Sequence, residues 1–108
     1  MDDNLLNSMT EMIVDEVQPD QVILFGSHAK GTDRLESDVD LLVVMPDSEE
    51  VRRRRRRFTG RLYRRLARIP TSKDILVYTR GEVEHWRNVP GHIVATSLAE
   101  GRQLYARS

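Results

Sequence analysis

Three aspartates and a glycine–serine pair carry the chemistry that this sequence offers. Asp38 and Asp40 stand in the string Asp-Val-Asp-Leu-Leu-Val. On a β-strand, side chains alternate faces, so Val39, Leu41, Val43 and Met45 share one face and Asp38 and Asp40 the other. Their Cα atoms are then roughly 6.5–7 Å apart at about 3.3 Å rise per residue. Two carboxylates at that spacing can converge on a divalent cation, and oxygen-only ligation suits Mg²⁺ or Mn²⁺. Taken alone, Asp-x-Asp also describes the start of an ordinary strand with two solvated acids.

Gly26-Ser27 stands ten residues before Asp38 and follows the apolar run Val22-Ile23-Leu24-Phe25. Glycine removes the Cβ obstacle to an approaching anion. If Ser27 opens a helical turn over residues 27–30, backbone N–H groups and a hydroxyl face the same point. Most Gly-Ser pairs are plain turns; here a phosphate cradle and a metal pair fall together. Asp74 is the third acid. It opens a strand whose next residues are Ile75, Leu76 and Val77, where an acid is disfavoured without a reason. Lys30 can add positive charge for a phosphate or be a solvated loop lysine; His28 reads as an exposed loop residue.

The elements that must position these groups are legible in outline. Leu5, Leu6, Met9, Met12, Ile13 and Val17 recur at helical spacing over residues 3–17, with Met9 and Met12 on the core side. Strands are expected near 22–25, 38–45 and 73–79, with a small edge strand at 103–106. Asp47 or Ser48 can cap one long helix to residue 69, its inner stripe being Val51, Phe58, Leu62, Leu66 and Ile69. Shorter helices are expected near 82–87 and 91–100. For Asp74 to meet Asp38 and Asp40, the second and third strands must start at the same end of the sheet. They are then parallel, with the long helix as crossover, and the first strand runs antiparallel to both. The reading is an α+β fold with a small mixed β-sheet packed with helices.

A chain of 108 residues is expected to form one domain, 1–108. It has no long apolar run, so no membrane span is expected, and no cysteine for a thiolate site. The cytoplasm is the default compartment. Its zero net charge hides an asymmetry: ten of its seventeen basic residues lie within 52–68, a segment without an acid. Six are consecutive, the first Arg52 and the last Arg57. A solvated helix face is the plain reading. Docking to an acidic protein surface and contact with nucleic-acid phosphates are the alternatives, the nucleic-acid one not favoured because no aromatic residues interleave the run. Trp86 and His85 can flank an adenine base, but packing is favoured. His92 shows no obvious partner, and Tyr63, Tyr78 and Tyr105 read as packing residues.

Gly26-Ser27, ten intervening residues, Asp38-Val39-Asp40-Leu41-Leu42-Val43 and a later strand Asp74 resemble the nucleotidyltransferase superfamily that includes DNA polymerase beta. The chain length and the string GSHAKGTDRLESDVDLLVVMPD resemble the minimal nucleotidyltransferases, the MntA-type antitoxins paired with HEPN-domain toxins. The resemblance implies that Gly26 and Ser27 bind the β- and γ-phosphates of ATP. It implies that Asp38, Asp40 and Asp74 hold two Mg²⁺ ions, Mn²⁺ being an acceptable substitute, and that Asp74 helps deprotonate the attacking hydroxyl. Its implied partner is a HEPN RNase toxin whose tyrosine accepts AMP. Many members carry arginine where Lys30 stands; lysine keeps the charge without the bidentate reach. The arginine run is outside the shared motif. The alternatives to catalysis on a toxin are occlusion of the toxin by binding, and nucleotidyl transfer to a small molecule or an RNA end.

Overall fold

The computed structural model describes residues 3–26, 29, 31 and 38–108. In chain order the elements are α1 (Asp3–Val17), β1 (Gln21–Phe25), β2 (Val39–Met45), α2 (Glu49–Arg53), α3 (Arg55–Arg65), β3 (Lys73–Thr79), α4 (Arg80–Trp86), α5 (Ile93–Glu100) and β4 (Arg102–Ala106). The sheet order is β3-β2-β1-β4. β2 and β3 are parallel, while β1 is antiparallel to both its neighbours, β2 and β4. The mixed sheet expected from the acid placement is the one that forms.

Strand alternation divides the apolar residues between two cores. Val22, Leu24, Val39, Leu41, Val43, Met45, Ile75 and Val77 pack under α1, α2 and α3, with Leu6, Met9, Ile13, Leu62 and Leu66. Ile23, Phe25, Leu42 and Val44 face the other way, against Val83 of α4 and Val94 of α5. Helices therefore cover both sheet faces, and β2, buried along nearly its whole length, reads as a near-continuous apolar run.

The long helix expected over 48–69 is broken. Ser48 caps α2, its hydroxyl accepting from the Val51 N–H, and the chain breaks at Arg54, with φ −119° and ψ 36°. No Pro or Gly stands there. Arginines three and four apart repel and weaken the helix at this point, and the break lets Arg55 turn inward. Arg55 meets Glu82 through both guanidinium nitrogens at 3.0 and 2.5 Å, donates to the Val77 carbonyl, and lies 5.3 Å from the Tyr78 ring centre. Tyr63 works beside it: its hydroxyl accepts from the Ile75 N–H at 2.9 Å. Together they occupy polar groups along β3, which would otherwise offer an open edge to another chain. Tyr63 is thus an edge guard rather than a packing residue. Two further arginines tie α3 to α1, Arg61 to Glu16 at 3.0 Å and Arg65 to Asp15 at 3.2 Å.

Glu82 also closes a capping box at the start of α4: the Thr79 hydroxyl accepts from the Glu82 N–H, and the Glu82 carboxylate accepts from the Thr79 N–H. Burial raises the Glu82 pKa, but the Arg55 and Thr79 contacts outweigh it and leave it below the ordinary 4.5. A carboxyl with a lowered folded pKa stabilises above the unfolded value, and that contribution is lost as pH falls through the folded one. The melting-temperature advantage of wild type over Glu82→Gln is therefore expected to be full at pH 6 and to shrink steadily below about pH 4.5. A pH series of thermal melts on the two proteins checks this.

Candidate active site

The register of three strands brings the candidate residues to one end of one sheet face. Asp40 and Asp74 are Cα partners across the parallel β2–β3 pair. Both point to the α4–α5 side, by alternation with Leu42, Val44, Leu76 and Tyr78. Neighbouring strands are about 4.8 Å apart, so the two carboxylates stand side by side. Asp38 precedes β2 by one residue and is exposed, as is Asp74; Asp40 is half-buried. Hydrogen bonding from the Val39 N–H to the Ser72 carbonyl, 2.9 Å, pins the start of β2 to the approach of β3.

On its other side Asp40 is paired with Phe25, so β1 delivers Gly26 to the same place. Gly26 has φ +75°, a conformation in which side chains are strained. A Cβ there would overlap Asp40 Oδ2 and stand 3.2 Å from its Cγ. The backbone after β1 thus lies directly on a candidate metal ligand, with no side chain between. The position of Gly26 one residue after the strand was the signal for this contact. Ser27 and Lys30, the other expected phosphate-binding residues, lie outside the described residues, as do His28 and the proposed turn at 27–30.

Among the described residues, no group of three His, Cys, Asp or Glu side chains is gathered tightly enough to hold a metal ion. The structure brings together Asp40 and Asp74, flanked by Gly26, with Asp38 just ahead of the strand. No hydrogen bond or ion pair with described residues engages the Asp38 or Asp74 side chain. Hard anionic carboxylate oxygens suit a Mg²⁺-type ion. Asp40 and Asp74, register partners on neighbouring strands, supply oxygen donors of the kind such a cation takes.

The adjoining aromatic cluster is self-satisfied. Trp86 stacks on His92 with ring centres 4.2 Å apart and planes 7° from parallel, and His85 meets Trp86 edge-on. His92, which showed no partner in the sequence, caps α5: its Nδ1 accepts from the Val94 N–H at 3.1 Å. Trp86 therefore has one face taken, and packing is its role in this structure. A cavity of about 250 Å³ lined by Asp20, Val44, Arg80, Val83 and Arg107 lies toward the far end of β2 from Asp40. Its Arg80 and Arg107 are already paired with Asp20.

A family model described as the nucleotidyltransferase domain matches residues 6–103. No curated protein matches the chain. Among solved structures, a protein of Sulfolobus solfataricus assigned as a nucleotidyltransferase is similar at 22% identity and TM-score 0.63, over 96% of this chain and 79% of that one. A toxin–antitoxin structure with AMP-PNP is similar at 19% identity and TM-score 0.57, over 94% of this chain and 74% of that one. At these identities the likeness is one of fold.

Proposed function

The chain belongs to the nucleotidyltransferase domain family, and from that premise we propose that it is a Mg²⁺-dependent adenylyltransferase acting as an antitoxin. It transfers AMP from ATP to a tyrosine of a cognate HEPN-domain RNase toxin and so silences it. The observation that carries the chemistry is the register pairing of Asp40 with Asp74 beside Gly26. The fold shared with a toxin–antitoxin structure holding AMP-PNP supports the partner class and the nucleotide.

In the reaction, the acceptor hydroxyl oxygen bonds to the α-phosphorus, the bond to the β-phosphate bridging oxygen breaks, and pyrophosphate leaves. Asp74, exposed at the start of β3, takes the hydroxyl proton. Gly26 gives the triphosphate a close approach that any side chain would block, and Ser27 adds a hydroxyl donor to the β- and γ-phosphates. Asp38, Asp40 and Asp74 would hold the divalent cations, which supply charge neutralisation on the attacking and leaving oxygens.

Incubation with the cognate HEPN protein, Mg²⁺ and α-labelled ATP is the test. Label is expected on the partner, with loss of its RNase activity at substoichiometric amounts of this chain. Neutralisation that needs equal amounts and no ATP would establish occlusion instead.

A further inference from the structure

We propose that the outward face of α3 and its flanks binds the phosphate backbones of duplex DNA, independently of base sequence. The arginines of 52–68 divide into two sets. Arg52 and Arg53 are spent on Glu49, and Arg55, Arg61 and Arg65 on Glu82, Glu16 and Asp15. Arg54, Arg56, Arg57, Arg64 and Arg68 are exposed, and no side-chain hydrogen bond or ion pair with described residues engages them. Their charges are left uncompensated by described acids, and an anionic partner would neutralise them.

The chemistry of the face selects the partner. Protein–protein interfaces have an apolar core from which charge is depleted. Here the outward positions of α3 carry Arg56, Arg57, Gly60 and Arg64, and the one large apolar ring, Tyr63, has its hydroxyl committed to the edge of β3. A strongly positive surface without an apolar centre matches phosphate-backbone binding, in which counterion release supplies the affinity. A single exposed ring, Tyr63, gives successive bases no series of rings to stack on, which disfavours a single-strand platform.

Geometry points to the B-form duplex. Arg56 and Arg57 diverge by roughly 100° around the helix, while Arg64 lies about 10.5 Å along the axis from Arg57 on nearly the same line. A helix so decorated can meet both walls of a major groove about 12 Å wide, whereas the A-form RNA groove is too narrow to admit one. Gly60 between them adds no bulk: a Cβ there would meet only the flexible tip of Arg64, at 3.4 Å. The acids of α1 nearest this face, Asp15 and Glu16, are neutralised by Arg65 and Arg61. Asp40 and Asp74 belong to the opposite sheet face, so a duplex on α3 does not meet them.

Fluorescence anisotropy with a labelled 20-base-pair DNA of arbitrary sequence tests this, between 50 and 200 mM NaCl. Five phosphate contacts give a slope of log K on log salt of about −4.5, a loss of more than about a hundredfold over that range. The triple variant Arg56→Ala, Arg57→Ala, Arg64→Ala should flatten the slope by about 3. Arg80→Ala, remote from the face, should bind as wild type does. If the triple variant does not fold by circular dichroism, single variants at 57 and 64 should each remove about 1 from the slope. No binding at 50 mM, binding indifferent to these variants, or competition by an RNA duplex or poly-glutamate as strong as by DNA would overturn the proposal.

Discussion

Asp40→Asn is expected to lower nucleotidyl transfer at least about 100-fold, in the range for loss of one charge-stabilising group, while leaving the fold as stable as before. The two halves of this expectation have different causes. Transfer fails because the amide removes a full negative charge from the register pair with Asp74, and with it most of the attraction for a divalent cation. Stability is kept because Asn has the same shape, and because like charges directly opposite on neighbouring strands are themselves destabilising. The melting temperature should hold or rise while label transfer from α-labelled ATP disappears. Asp74→Asn should behave in the same way, and the double variant should lose little more than either single one, as residues acting as a unit do. Transfer within a few-fold of wild type in Asp40→Asn would remove the acid pair from the reaction.

That pair was readable from the sequence because a strand makes simple promises. Alternation assigns Asp38 and Asp40 to the face opposite Val39 and Leu41, and an acid opening Ile75-Leu76-Val77 asks for a neighbour. Requiring the acids to meet then forces β2 parallel to β3, and β1 against both, which is the observed order. The α1 span was equally legible, since Leu6, Met9, Ile13 and Val17 mark one buried stripe. What escaped depended on contacts between elements distant in sequence. The break at Arg54 has no glycine or proline to announce it; it follows from Glu82 waiting 27 residues beyond Arg55 to receive it. Tyr63 guards an edge that exists only once β3 takes the outside of the sheet. The capping box is written in the sequence as Thr79-Arg-Gly-Glu82, but Gly81 masks the helix start. The glycine is needed there: a Cβ would come 2.7 Å from Asp47 Oδ1, which accepts from the Gly81 N–H.

Gly26→Ala should then cost both stability and transfer, and a second glycine separates the two. Gly91 has φ +86° and nothing within 4 Å of a Cβ, so Gly91→Ala carries backbone strain alone. That strain is about 1–2 kcal/mol, or roughly 5–15 °C in melting temperature for a domain of this size; transfer should be untouched once the protein is folded. Gly26→Ala carries the same strain at φ +75° and adds overlap with the Asp40 carboxylate. Relief requires either the end of β1 to lift, which withdraws the backbone from the phosphate position, or Asp40 to rotate, which separates it from Asp74. Either movement removes a part that the reaction needs, so transfer should fall toward the level of Asp40→Asn at temperatures where the variant remains folded. The comparison is made at matched folded fraction, from melts and label transfer on the same preparations. If Gly26→Ala loses stability as Gly91→Ala does yet transfers at the wild-type rate, then the contact between Gly26 and Asp40 serves only the fold, and the nucleotide lies elsewhere.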